Sequence, residues 1–419
     1  MSQTNDFPLS AVPQNARKGF WSTAFVLLGF TFFTSTMWAG GTLGTSFNFT
    51  ELLWIILIGN LLLGSYAAGL AYVAYKTGLN SVLLGRYCFG EHGSKLSDII
   101  LGFTQIGWYA WGTATIAIIL LKLVDLPESY ATPLMVLFGF GFCITAFIGY
   151  KALEILSKIS VPAMLAFIGL SIYQGSIDIG GFSQLNSIVP SDTMAFSAAI
   201  TLVFGTFVSG GTQATNWSRF AKSGRIAVIT TLLAFFIGNG LMVFVGAFGA
   251  MVYQQADIVD VLVSQGFILV AILMLFANIW TTQDNTIYNF AAAGCNLVRT
   301  DKRRLITVVG AAIGTLLAVF GMYNLLIPFL ILLGTFIPPI GAIIMADFWF
   351  KHRGNPPALE QIKLPSFDKC GLAAYAVGSA AAYYSPWIAP LVGIVVSASF
   401  YGVLLHIGSA QTLTKQTAS

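Results

Sequence analysis

Twelve stretches of this chain are each apolar over roughly the 20 residues an α-helix needs to cross the hydrocarbon core of a bilayer. In chain order, as spans one to twelve, they lie at 21–45, 52–75, 99–121, 131–150, 155–174, 194–217, 226–253, 267–293, 305–323, 325–350, 371–384 and 387–407. The eleventh is the shortest. So many long apolar runs leave too little polar sequence to cover a soluble core. The 419 residues are 56% hydrophobic and only 9% charged, with a mean hydropathy of +0.80, whereas soluble domains carry about 25% charged residues. The same numbers exclude disorder, which needs little apolar sequence and much charge. The pattern predicts an all-α polytopic membrane protein of twelve transmembrane helices.

Charge placement tests that count. With the amino terminus in the cytoplasm, 19 of the 20 lysines and arginines (all but Lys122) fall in cytoplasmic segments. Positive charge is retained on that side of a membrane, and one missed helix would scramble the segregation downstream. Both termini are therefore expected in the cytoplasm. Arg17 and Lys18 precede an apolar run as in a signal peptide. The leader is long and the run lacks a small-residue cleavage site, so an uncleaved first helix is expected.

Several functions are excluded. The net charge of +4 is small and its basic residues are scattered, so no nucleic-acid surface is expected. Cys88, Cys143, Cys295 and Cys370 have no paired spacing, and His92, His352 and His406 lie at segment edges or in polar loops. Neither a disulfide framework nor a zinc site follows from them.

An internal repeat is visible at an offset of 170 residues. Ala39-Gly40-Gly41-Thr42-Leu43-Gly44-Thr45-Ser46 aligns with Ser209-Gly210-Gly211-Thr212-Gln213-Ala214-Thr215-Asn216, with four identities in eight positions. The copies lie in spans one and six. Five spans separate their starts, and an odd number inverts the second copy in the bilayer. Matched Gly/Ser/Thr-rich interruptions at corresponding places in two inverted halves point to discontinuous helices around a transport site. Close packing through small residues is the competing explanation.

Two polar clusters sit inside the apolar spans. In span three, Gln105 and Trp108 are three residues apart and share a helical face. The amide supplies donors and an acceptor and the indole a stacking surface, a pair suited to a neutral planar base. An interhelical hydrogen bond and a packed ring would use the same residues. In span eight, Asn278-Ile279-Trp280-Thr281-Thr282-Gln283-Asp284-Asn285 is polar within an otherwise apolar segment. Two adjacent hydroxyls with the carbonyls of a broken helix would form a hard oxygen shell suited to Na⁺. Asp284 is an intramembrane ionisable group and a functional candidate for that reason, either as a proton relay or bonded to neighbouring helices. Pro338-Pro339 in span ten predicts a kink.

The chain resembles the nucleobase–cation symporters over nearly its whole length. The resemblance rests on Val12-Pro13-Gln14 leading to Ala16-Arg17-Lys18-Gly19, on Met37-Trp38-Ala39-Gly40-Gly41-Thr42-Leu43-Gly44-Thr45 and on Leu57-Ile58-Gly59-Asn60-Leu61-Leu62-Leu63-Gly64. It continues in Thr104-Gln105-Ile106-Gly107-Trp108 and Asn278-Ile279-Trp280-Thr281-Thr282. It implies a five-plus-five inverted repeat with two further helices, the architecture of sodium-coupled amino-acid symporters. The chain would divide into a cytoplasmic tail (1–19), a first repeat (20–175), a second repeat (194–350), helices eleven and twelve (369–407) and a second cytoplasmic tail (408–419).

The same resemblance implies site residues. Trp108 and Phe207 match the rings that sandwich the substrate. Gly205 and Thr206 match the span-six break, with Ser209 just beyond it, and Gln105 shares the face of Trp108. In hydantoin-type members an amide follows the tryptophan by one turn; here that place is Gly112. Gly29 and Phe32, then Asn278, Thr281 and Thr282, match the sodium ligands. The implied function is import of cytosine or a related nucleobase in symport with Na⁺, by alternating access across a bacterial inner membrane. No cofactor besides the coupling ion, and no partner besides the base, Na⁺ and the lipid bilayer, is expected. Proton coupling through Asp284, and a purine, uracil or hydantoin substrate, stay open on the same fold. A channel or a membrane enzyme would be a different class, and an enzyme would need buried histidine or paired carboxylates.

Overall fold

A computed structural model describes residues 6–417. Residues 1–5 and 418–419 of the two expected tails lie outside the described residues. Among the described residues the secondary structure is helical, apart from one isolated bridge between Lys18 and Ala221. Helix occupies each of the twelve apolar windows. Seven segments are long and apolar enough to cross a membrane by themselves, and a bent pair makes an eighth. Others, such as the 16-residue Lys369–Tyr384 helix of span eleven, reach about 24 Å at 1.5 Å per residue. Span twelve continues as helix to Thr417, through most of the segment expected as a tail.

Local chemistry sets the ends. The Asn48 side chain accepts from the Glu51 amide at 2.9 Å and starts the Phe49–Thr77 helix of span two, and Gly78 at φ 73° ends it. Asp368 caps span eleven through the amides of Cys370 and Gly371. Along span two, Leu53, Leu57 and Leu61 are exposed at every fourth position while Leu52, Ile56 and Leu63 are buried. An exposed leucine stripe on a long helix has lipid as its solvent.

Spans one and six are both interrupted, at places the glycine pairs do not mark. Span one is two helices, Phe20–Thr31 and Thr34–Ser46, meeting at 57° across Phe32 and Phe33. Span six runs from Phe196 to Gln213 with non-helical dihedrals at Phe207 (φ −137°, ψ 18°). Gly40-Gly41 and Gly210-Gly211 lie within regular helix and serve packing. Gly40 and Gly44 let the second helix of span one approach the backbone of Val243 and Ala247 in span seven, and Gly246 meets the Met37 carbonyl. Small residues allow such approach in lipid. A Gly246→Ala methyl would run into that carbonyl, so we expect a loss of about 1–3 kcal/mol, read as a lower melting temperature in detergent. Gly169, where an added methyl would meet nothing within 4 Å, is the control; equal melting for both alanine variants would show slack in the seam.

Span seven contains a π-helical turn, Leu233–Gly238, between Gly224–Leu232 and Asn239–Tyr253. The turn wraps both breaks: Gly238 lies against Thr31 and Phe32, and Phe235 is edge-on to Phe207 at 5.9 Å. Asn239 then ties the bundle together. Its Nδ2 donates to Asn60 Oδ1 (2.8 Å) and Thr206 Oγ1 (3.0 Å), and its Oδ1 accepts from Thr36 (3.2 Å). In span ten the kink predicted at Pro338-Pro339 is a division at Ile337 between Leu326–Phe336 and Pro338–Ala346.

The segment before span one straps one face of the bundle. Val12 donates to the Gly78 carbonyl (3.0 Å) and Lys222 to that of Lys18 (2.9 Å). Arg17 donates to the carbonyls of Tyr75 (3.0 Å) and Ala221 (3.2 Å). Arg219, fully buried, donates to those of Phe7 and Asp6, both at 2.8 Å, and Asp6 pairs with Arg303 at 3.3 Å. Burial pushes the Asp6 carboxyl above its usual range, with Arg303 opposing. The ends of spans two, six and nine are thereby held at one place.

Candidate functional site

At the level of the two breaks, four spans enclose a small cavity. Span one contributes Phe30 and Phe33, span three (Lys95–Val124) Gln105 and Trp108, and span six Thr206, Phe207 and Ser209. Thr282 and Thr286 come from span eight (Ile268–Val298). Its volume of about 10 Å³ is that needed by a single water. A pyrimidine ring enters only if the aromatic walls part. Those walls meet edge to face: Phe33 on Trp108 at 5.6 Å, on Trp111 at 5.4 Å and on Phe207 at 6.5 Å, and Phe30 on Phe207 at 4.9 Å. Such contacts are weak one by one, about 0.5–1.5 kcal/mol beyond burial, so they can exchange for stacking on a flat ligand.

The polar groups are more telling. Trp108 Nε1 donates to Ser209 Oγ at 3.2 Å, linking span three to span six two residues past Phe207. Gln105 is 1% exposed, and neither Nε2 nor Oε1 has a hydrogen-bond partner among the described residues. A buried amide left unpaired costs about 1–3 kcal/mol per group, and native structures keep few of them. Here one stands on a cavity wall, where a ligand with an adjacent donor and acceptor would satisfy it. Gly112, one turn past Trp108, is covered by the Gln283 amide, whose Nε2 donates to the Tyr109 carbonyl at 2.7 Å. An amide therefore does lie over that place, supplied by span eight instead of span three.

Beside the cavity, oxygen atoms converge on the end of the Phe20–Thr31 helix, whose last carbonyls lack helical partners because the chain breaks. Thr282 Oγ1 lies 3.1 Å from the Phe32 carbonyl, 3.4 Å from that of Phe30 and 3.2 Å from that of Asn278. Thr281 Oγ1 lies 3.3 Å from the Asn278 carbonyl, and the open side of Gly29 faces Thr281 and Ser157. Gly29, Phe32, Asn278, Thr281 and Thr282 are thus neighbours, and the donor set is uncharged and all oxygen. That chemistry fits a hard monovalent cation. The Asn278 side chain has another task. Its Oδ1 accepts from the Thr34 amide (3.0 Å) and hydroxyl (2.8 Å), capping the second helix of span one from across the bundle, as a local N-cap residue would.

Asp284 belongs to neither cluster. Its carboxylate accepts from Thr145 of span four and from Asn285, each at 3.0 Å, and it is not among the residues lining the cavity. Gly205 stands at the bend, where an added methyl would meet nothing within 4 Å. Sequence reasoning missed Phe30, Phe33, Thr286 and Asn239. Thr286 repeats Thr282 at i+4 and was findable; the two phenylalanines are camouflaged among thirty-four.

Two discontinuous helices meeting at a membrane-buried cavity, with carbonyls freed beside it, are the arrangement that transporters build around a substrate site. Comparison agrees. Residues 11–404 match the family described as permeases for cytosine/purines, uracil, thiamine and allantoin. The cytosine permease of Escherichia coli (strain K12) is 38% identical over 417 residues, covering 100% of this chain and 98% of that protein. The hydantoin permease of Microbacterium maritypicum is 22% identical over 381 residues, covering 82% and 75% of the two chains. Among solved structures, the nucleobase-cation-symport-1 family transporter Mhp1, closed with bromovinylhydantoin bound, superposes with a TM-score of 0.84 at 19% identity, covering 99% of this chain and 96% of that one. A Na⁺-coupled sialic acid symporter superposes at 0.71 and 13% identity, covering 96% and 92%. These two show the shared fold. The chain belongs to the cytosine/purine permease family; it is a multi-pass membrane transporter and not an enzyme.

Proposed function

We propose that the chain imports cytosine in symport with Na⁺. The observation that carries this reading is the unpaired Gln105 amide on the wall of an aromatic cavity, adjoining a cluster of uncharged oxygens at a helix break. The full-length relation to a protein named cytosine permease supports the choice of base. The ring would lie between Trp108 and Phe207, with its polar edge on Gln105 and on the main chain near Gly205 and Thr206, and Ser209 alongside. Na⁺ would sit among Gly29, Phe32, Asn278, Thr281 and Thr282. The repeats 20–175 and 194–350 would move against each other around this site. The strapped face is the cytoplasmic one on the placement of positive charge, with the host membrane a bacterial inner membrane. An inside-negative potential then contributes about 2.3 kcal/mol per charge per 100 mV to inward movement.

Purified protein in liposomes should accumulate labelled cytosine above equilibrium under an inward Na⁺ gradient, with unlabelled purines, uracil and hydantoins as competitors to define the base. Uptake that ignores Na⁺ and collapses with a proton gradient would transfer the coupling to H⁺. The buried Asp284 carboxylate favours that second reading, and Asp284→Asn should then abolish transport.

A further inference from the structure

Between the base cavity and the strapped face, a second polar cluster is buried. Gln213 follows Ser209 by four residues on span six, and Asn289 follows Thr286 by three on span eight. Both therefore stand about one turn, roughly 5 Å, beyond the cavity wall. Gln213 Nε2 reaches the Leu101 carbonyl at 3.4 Å, itself one turn from Gln105. Asn216 Nδ2 donates to Asn289 Oδ1. All three amides are at most 1% exposed. Gln213 Oε1, Asn216 Oδ1 and Asn289 Nδ2 have no hydrogen-bond partner among the described residues. Turning both asparagines together keeps their bond and only exchanges which atoms are left over, so the bonded pair still has one free donor and one free acceptor.

An aromatic face accompanies them. Trp217 is fully buried, its Nε1 is likewise unpaired, and its ring lies near that of Tyr288 at 6.4 Å and 27°. Phe30 stands between the two clusters, 4.9 Å from Phe207 in the cavity wall and 4.8 Å from Trp217. Native structures leave few buried amide atoms unpaired, and an amide that serves packing alone is often replaced without loss by an apolar group of similar shape. These are half-paired, and the atoms left over match the adjacent donor and acceptor on the edge of an amide-like heterocycle.

We propose that Gln213, Asn216, Asn289 and Trp217 form a second, transient station for the transported base, which passes Phe30 on its way to the cytoplasm. The station rests on the transport function proposed above. It is closed in this structure, and the base reaches it when Phe30 swings aside. Its ligand class is a neutral planar heterocycle with neighbouring donor and acceptor.

The test uses the full chain with Asn216→Leu and Asn289→Leu combined, which removes both amides together and leaves neither partner stranded. Equilibrium binding of labelled cytosine in saturating Na⁺ reports the first cavity, and turnover of uptake into liposomes reports passage. We expect binding within threefold of the parent, an equal or higher melting temperature, and turnover lowered at least fivefold. Turnover lowered less than fivefold overturns the station. So does a fall of melting temperature and binding in step with uptake, because that is the signature of a merely structural contact. If the double variant does not fold, Gln213→Leu is read in the same assays against the same limits. A parent chain that fails to bind or carry cytosine would instead defeat the proposed function, so the two failures are distinguishable.

Discussion

A Gln105→Leu variant should fold at least as well as the parent and bind cytosine at least a hundredfold more weakly. Both halves follow from the same orphaned amide. Gln105 is buried with donor and acceptor unmet among the described residues, so an apolar side chain of similar size relieves a desolvation penalty of about 1–3 kcal/mol per group. With the base in place the balance reverses. Two hydrogen bonds vanish, and the polar edge of the ligand faces leucine, which together cost about 3 kcal/mol or more, or a hundredfold in affinity at 1.4 kcal/mol per decade. Sites built to hydrogen-bond a ligand discriminate strongly for this reason. Equilibrium binding and thermal melting of the same preparation decide it: parent-like affinity would remove Gln105 from the base site.

The second large effect is expected from Thr282→Val, which keeps the shape and deletes the hydroxyl lying 3.1 Å from the Phe32 carbonyl. Interactions of a polar group with a charged partner are worth about 1.5–3 kcal/mol. The Na⁺ concentration for half-maximal uptake should therefore rise about ten- to a hundredfold, while cytosine binding measured without Na⁺ stays near the parent value. An unchanged Na⁺ dependence would place the ion elsewhere. Thr281→Val offers an internal comparison, because its hydroxyl also contacts the Asn278 carbonyl.

Much of the fold was legible because lipid enforces simple rules. Every spanning segment must satisfy its own backbone, so hydropathy alone placed twelve windows that are each helical among the described residues. Lysine and arginine placement gave the orientation expected of them. That spans one and six break was also readable, but not where: the glycine pairs that drew attention are helical and press against Val243 and Phe207, while the chain breaks at Phe32-Phe33 and bends at Phe207. A bulky aromatic at a break carries no local signature, since the surrounding bundle, including the π-helical turn of span seven, stabilises the irregular dihedrals. The polar run of span eight announced a site, yet its periodicity could not say which member faced which neighbour. Thr281 and Thr282 turn to span one, Gln283 covers Gly112 on span three, and Asp284 turns to span four. Four consecutive residues on a helix serve three different neighbours, so only the packed bundle assigns their tasks.

Thr282 is common to both places, its hydroxyl among the oxygens at the broken helix and its side chain on the wall beside Phe33 and Trp108. Cation and base would therefore share a boundary one residue thick. Linkage between two sites is reciprocal, and across so short a distance it would need no relay of shifting helices: each ligand would organise the same threonine the other must meet.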